Sequence, residues 1–282
     1  MTLSLEADFG IFVMSMAAGL IGSLAGVGGG ILVIPVLTTF FGVDIRLAVG
    51  ASIVSVIATS SGAASAYVRD RVTDMRVGMF LELATTTGAV CGALLAAVVA
   101  PAFLFLLLGA VVLLSAASQM SRLAEEVPPQ LAASRLALAL KLSSSYPDRR
   151  LGLEVPYSAR RIPLGFVLMW IAGTVSGLLG IGSGVLKVLA MDTAMRLPMK
   201  VSSATSNFMI GVTAAASAGI YLGRGDVDPR IAAPVALGVL LGAVIGARLL
   251  HHVSNRAVRL IFVPVLIAVG LEMIGRGLGL SV

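Results

Sequence analysis

Long apolar stretches alternate with short polar ones over the whole chain, and eight of them are long enough to be membrane helices: 11–41, 47–68, 77–99, 102–120, 162–191, 201–222, 231–250 and 257–275. A helix needs about 20 apolar residues to cross a bilayer core. The strands of an outer-membrane barrel would instead alternate polar and apolar positions in pieces of about ten residues. The pattern therefore predicts an all-α fold, a polytopic transmembrane helix bundle. Two stretches are too long for one span: 11–41, inside a charge-free run of 35 residues from Phe9 to Val43, and 162–191. Both contain glycine clusters, Gly28-Gly29-Gly30 and Gly180-Ile181-Gly182-Ser183-Gly184. Glycine costs roughly 1 kcal/mol against alanine inside a helix and adopts conformations other residues avoid. Each long stretch is thus read as a helix, a glycine turn and a short second helix, giving broken or re-entrant first helices.

The two clusters belong to a larger repeat. Residues 19–96 laid on 173–250, at a constant offset of 154, give 20 identities in 78 positions without a gap. Thr59 meets Thr213, Tyr67 meets Tyr221, Asp74 meets Asp228, and Gly88 and Gly92 meet Gly242 and Gly246. Internal duplication accounts for this. The expected organisation is an N-terminal transmembrane repeat at 1–120, a cytoplasmic linker at 121–161 and a C-terminal transmembrane repeat at 162–282. The linker is polar and holds four prolines, with a short surface helix expected within Leu131 to Leu142.

Composition agrees, with 58% hydrophobic and 12% charged residues and a mean hydropathy of +1.02, well outside the soluble range. The net charge of +6 is explained by loops facing the cytoplasm and anionic lipid, so no nucleic-acid partner is expected. Glu6 and Asp8 before the first apolar run argue that it is retained as a helix, not cleaved. Cys91 is the only cysteine, and His251 and His252 adjoin the end of a segment without acidic or sulfur neighbours. No metal site and no cofactor are expected. Within the spans the only His or Asp is Asp192, at a segment end, so no nucleophile-and-base pair is available and an enzyme is not expected. The other classes to weigh against a transporter are an intramembrane enzyme and a non-transporting scaffold or sensor.

Basic residues collect in cytoplasmic loops. If all eight segments cross, 13 Lys and Arg lie on the linker side against 6 opposite, with Lys187 inside a span, and the halves are parallel repeats. If each broken segment enters and leaves on one side, every half crosses three times and the halves are inverted. Hydropathy permits both.

Candidate chemistry sits at the breaks. Gly28, Gly29 and Gly30 precede a half-helix starting at Ile31, and Gly182, Ser183 and Gly184 precede another. First-turn N–H groups lack intrahelical partners and carry partial positive charge, which suits an anion. They also admit a plainer reading, small residues for close helix packing. Ser52, Ser55 and Thr59 form one polar stripe, and Ser206 and Thr213 lie on another. Thr205, Ser206 and Asn207 make the most polar tripeptide in any span; these hydroxyls either line a pathway or bond their own helix. Lys187 is a cation inside a span where the first repeat has Val33, and such charges usually face a partner or a cavity. Glu82 is the one acid near a span interior, a possible proton or charge partner.

Three stretches, Gly-Leu-Ile-Gly-Ser-Leu-Ala-Gly-Val-Gly-Gly-Gly at 19–30, Gly-Leu-Leu-Gly-Ile-Gly-Ser-Gly-Val-Leu-Lys-Val at 177–188 and Ala-Thr-Ser-Asn at 204–207, resemble the TauE/SafE family of membrane transporters. The resemblance runs from about residue 9 to 278. It implies a multi-pass permease of the bacterial inner membrane, handling sulfite or an organosulfonate as its small-molecule partner. It also implies Gly28–Gly30, Gly182, Gly184, Lys187 and Thr205 to Asn207 as substrate-binding positions. Ser183 departs from the family's second glycine, and the linker is longer than the minimal pattern. The expected mechanism is alternating access around a midplane anion site, export being the direction a negative-inside potential favours.

Overall fold

The computed structural model describes residues 5–24, 30–69, 73–121, 135–148, 153–249 and 255–280. In order they form α1 (Leu5–Leu24), α2 (Gly30–Phe40), α3 (Ile45–Arg69), α4 (Met75–Leu95), α5 (Pro101–Ser121), α6 (Arg135–Ala139), β1 (Ser143–Asp148), β2 (Leu153–Ser158), α7 (Ile162–Leu179), α8 (Gly184–Leu189), α9 (Met199–Arg224), α10 (Pro229–Leu249) and α11 (Asn255–Gly277). A π-helical turn at Ala190–Ala194 continues α8. Among the described residues, four helices hold stretches long and apolar enough to cross a membrane, Met75–Leu95, Pro101–Ser118, Ile162–Leu179 and Pro229–Gly246. Their outer faces carry Leu83, Phe103, Ile171 and Leu237 exposed, while Ser52, Ser206, Thr213 and Lys187 are buried. Apolar surface outside and hydroxyls within is the arrangement lipid demands.

The break in 162–191 is real. α7 stops at Leu179, and Gly180, Gly182 and Ser183 take φ of 63°, 74° and 47° before α8 begins. The chain then returns to where it began: Arg160 N donates to Met195 O at 2.9 Å, and the Met195 side chain fills the space a Cβ on Gly165 would take. α7 with α8 is therefore a helical hairpin that starts and ends at one level. In the first stretch the Phe41 ring lies 3.2 Å from a Cβ built on Gly10, so α2 likewise finishes beside the start of α1. Residues 25–29, including Gly28 and Gly29, lie outside the described residues.

Glycines set which helices meet. A Cβ on Gly173 or Gly177 of α7 would overlap the carbonyl oxygens of Thr85 and Ala89 on α4, and one on Gly88 or Gly92 would overlap those of Trp170 and Thr174. At a distance of 154 residues, Gly19 of α1 meets Val239 of α10, and Gly242 meets Met16. In both pairs the contact numbers rise together, so α4 runs parallel to α7 and α1 parallel to α10. Parallel too are α4 and α9, tied at a constant separation of 131 residues by Asp74 N to Thr205 Oγ1, Thr213 Oγ1 to Glu82 Oε1 and Arg224 Nη1 to Ala93 O. α5 and α11 run antiparallel, Gly109 facing Gly270 and Ile274 while Gly277 faces Leu106 and Ala102.

The polar stretch between the halves folds more than its composition suggests. α6 occupies part of the expected surface helix, and β1 and β2 pair antiparallel from Ser143 opposite Ser158 to Asp148 opposite Leu153. Ser-Ser-Ser-Tyr-Pro-Asp has no alternating apolar face, which is why the strand was not legible. Tyr146 and Val155 bury against Val201 at the start of α9, and Tyr157 Oη donates to Asp74 Oδ2 at 2.7 Å. Asp74 uses its other oxygen to cap α4 at Arg76 N and Val77 N, both 3.0 Å. Burial and the Asp74 carboxylate push the Tyr157 phenol above its ordinary value near 10. Raised in the folded state, its contribution is fully present below pH about 10 and disappears only at higher pH. Tyr157→Phe should leave a carboxylate oxygen without its donor and lower stability by about 1–3 kcal/mol, read as a lower thermal midpoint in detergent near neutral pH.

Candidate functional site

The two glycine breaks meet. A Cβ placed on Gly30 would sit 3.1 Å from Ser52 Oγ and 3.8 Å from Ile181 Cα, so the start of α2 abuts the second break. Ser52 Oγ lies 3.1 Å from Gly30 O and 3.0 Å from Gly180 O, tying both breaks to α3 with one hydroxyl. Ser206 does the same on α9, donating to Gly184 O at 3.2 Å. Gly182 has no room for a side chain: a Cβ would be 2.8 Å from Ile210 Cγ2 and 3.0 Å from Val56 Cγ1. Gly30, Ile31, Ser52, Gly182, Ser183, Gly184 and Ser206 are thus gathered where α3 and α9 cross. Ser183 holds a left-handed conformation, is 2% exposed, and its Oγ has no hydrogen-bond partner among the described residues.

Just past this point Lys187 is fully buried, at 0% exposure, with Nζ donating to Thr213 Oγ1 at 2.6 Å. The Thr213 oxygen also lies 2.7 Å from Glu82 Oε1 and 2.8 Å from Met209 O. One hydroxyl therefore bridges a buried amine and a buried carboxyl, its single proton choosing between two acceptors. Thr86 Oγ1 donates to Glu82 Oε1 at 3.0 Å, whereas Glu82 Oε2 is buried with no partner among the described residues. α4 supplies Glu82 and Thr86, α8 supplies Lys187 and α9 supplies Thr213, and the parallel register of α4 with α9 brings Glu82 level with Thr213. Lys187 stands one turn beyond the second break, placing the charge beside the meeting point.

Other expected positions fall differently. Thr205 is not at the breaks; its Oγ1 accepts from Asp74 N at 3.0 Å, under the hairpin. Asn207 is half-buried and its Nδ2 donates to Ser203 O at 3.0 Å. Ser55, Thr59 and Ser217 bond carbonyls of their own helices, so much of each polar stripe is self-satisfied. Thr213 was not singled out as a site residue, although its identity with Thr59 across the repeat was the available signal. Among the described residues no group of three or more His, Cys, Asp or Glu could hold a metal ion.

The model of the family described as sulfite exporter TauE/SafE matches residues 11–273. The chain belongs to that family. This TauE/SafE chain is 26% identical over 275 residues to the probable membrane transporter protein YunE of Bacillus subtilis (strain 168), covering 95% of this chain and 97% of the relative. It is also 26% identical over 239 residues to YdhB, another probable membrane transporter protein of that organism, covering 84% and 88%. No solved structure matches it. The TauE/SafE chain is a membrane transporter built of apolar helices, and the meeting of its two breaks beside a buried lysine is the candidate site.

Proposed function

We propose that this TauE/SafE protein moves a small sulfur oxyanion, sulfite or an organosulfonate, across the bacterial inner membrane by alternating access around the meeting point of the two glycine breaks. The observation that carries this reading is Lys187, a cation fully buried one turn past a break and held by a single hydroxyl among the described residues. A buried cation is expensive unless it faces a counter-charge or a polar path. Gly30, Gly182, Ser183 and Gly184 supply backbone and a free hydroxyl at close quarters, and Ser52 and Ser206 fix their carbonyls. Asn207 is proposed to complete the site from its margin, and Gly28 and Gly29 are proposed as members on the sequence motif alone. An anion moving alone would be driven outward by a negative-inside potential.

The halves are proposed to be inverted repeats. The hairpin return of both broken segments, the parallel run of α4 and α9 and the antiparallel run of α5 and α11 support this, because eight single crossings would reverse the last two relations. Three crossings per half leave 15 of the Lys and Arg on the side of residues 121–161, and only Arg46, Arg224, Arg230 and Arg276 opposite. That bias is steeper than eight crossings would give, and it supports a cytoplasmic location for residues 121–161. In a Cys91→Ser background, cysteines at Ser145 and at Thr193 should both react with an impermeant maleimide only in inside-out vesicles, because a hairpin returns Thr193 to the side of Ser145 whereas a single crossing would carry it to the other. Opposite sidedness for the two would overturn the inverted arrangement. Transport itself is tested in proteoliposomes offered radiolabelled sulfite, sulfate, thiosulfate and 2-hydroxyethanesulfonate. Flux of sulfite or the sulfonate above sulfate is the expected result, and no movement of any of them would refute the reading.

A further inference from the structure

Resting on that reading, we infer that Glu82 is the exchangeable counter-ion of Lys187, so that each anion bound brings a proton onto Glu82 and anion and proton cross together. The geometry supplies both halves of the exchange. Lys187 Nζ and Glu82 Oε1 share the Thr213 hydroxyl at 2.6 and 2.7 Å, which makes Glu82 the resident counter-charge in the structure seen here. Glu82 Oε2 is buried and has no hydrogen-bond partner among the described residues, leaving an oxygen on which a proton can sit.

Charge counting then links the two ligands. Lys187 with an ionised Glu82 is neutral. A monovalent anion taking Lys187 as its partner leaves a net charge of −1 in the membrane interior, a penalty on the order of 100-fold in affinity. One proton added to the Glu82 carboxylate removes it: the O–H bond forms on Glu82, the proton comes from the bulk on the open side, and no other bond changes. The surroundings offer no other charge to do this. Thr85 and Thr86 on α4 and Thr213 on α9 are neutral, α7 carries no titratable side chain, and Asp74 is two turns away and held by Tyr157. Asp192 is five residues past Lys187, and Lys200 and Arg224 stand at the two ends of α9. Proton and anion moving together carry no net charge, so the pull of the membrane potential on the anion is cancelled and direction is left to the pH and anion gradients.

The test uses full-length protein in liposomes, radiolabelled sulfite and 2-hydroxyethanesulfonate as probes, and the potential clamped with valinomycin and potassium. For uniport of a monoanion, about 100 mV changes steady-state accumulation about 50-fold. The expected result is accumulation unmoved by that potential and shifted about tenfold per unit of imposed pH gradient. Glu82→Gln should keep exchange of labelled for unlabelled anion yet lose net flux, since the empty site with Lys187 charged and no carboxylate at position 82 to balance it cannot return. Accumulation that follows the potential and ignores the pH gradient overturns proton coupling while leaving the transporter reading intact. Movement of neither probe removes both. Should Glu82→Gln not fold, the wild-type comparison of potential against pH gradient still decides.

Discussion

Lys187→Met should abolish sulfite flux in proteoliposomes, by at least about 100-fold, because it removes the one buried cation beside the meeting point while keeping the volume of a buried side chain. The same change leaves the Glu82 carboxyl without its counter-charge. Breaking a buried pair by removing one member typically costs about 3–5 kcal/mol, so the variant should also unfold at a lower temperature in detergent. Pairing it with Glu82→Gln separates the two effects. The double variant should regain thermal stability, since no uncompensated charge remains, yet stay inactive. If the double variant regains flux together with stability, Lys187 is a structural partner of Glu82 and has no role in holding the anion.

The second large effect lies in the helix crossings. Gly177→Leu should leave almost no folded protein after solubilisation, because even a Cβ there overlaps the Ala89 carbonyl, and Gly177 O also accepts the Tyr221 hydroxyl at 2.7 Å. Overpacking costs about 1–3 kcal/mol where side chains can shift, but here the obstacle is backbone and the helices must part. Gly219→Ala is the control. Nothing lies within 4 Å of its Cβ position, so alanine should raise stability by about 0.5–1 kcal/mol through helix propensity alone. The measurement is the monodisperse fraction by size exclusion, followed by a thermal melt.

How much of this was legible beforehand follows from which physical signals a sequence carries. Apolar length is a property of the chain itself, so the eight segments and the break at Gly180 to Gly184 could be read directly. Lys187 stood out because a charge in an apolar run has no local explanation. What could not be read was which helix would face it. Glu82 and Thr213 are 131 residues apart, and their contact exists only because glycines on α4 and α7 and the constant register of α4 on α9 fix the heights of these helices. Thr205 fell the other way, its neighbour Ser206 being at the site while its own hydroxyl serves Asp74. The β-hairpin escaped notice because its strands bury little more than Tyr146 and Val155, too few positions to make a period.

The glycine crossings have a consequence for how the chain is made. α1 finds its close partner in α10 and α4 finds its in α7, so neither of the tightest interfaces can form from residues 1–121 alone. A ribosome that has released α1 to α5 into the membrane has released two glycine faces with nothing yet to cover them. The face on α4 must wait for α7 at Ile162–Leu179, and the face on α1 for α10 at Pro229–Leu249, both still untranslated when Ser121 has been made. In that interval the half-built chain is a ready acceptor for any other membrane helix with small residues at the same spacing, including the second half of a neighbouring copy.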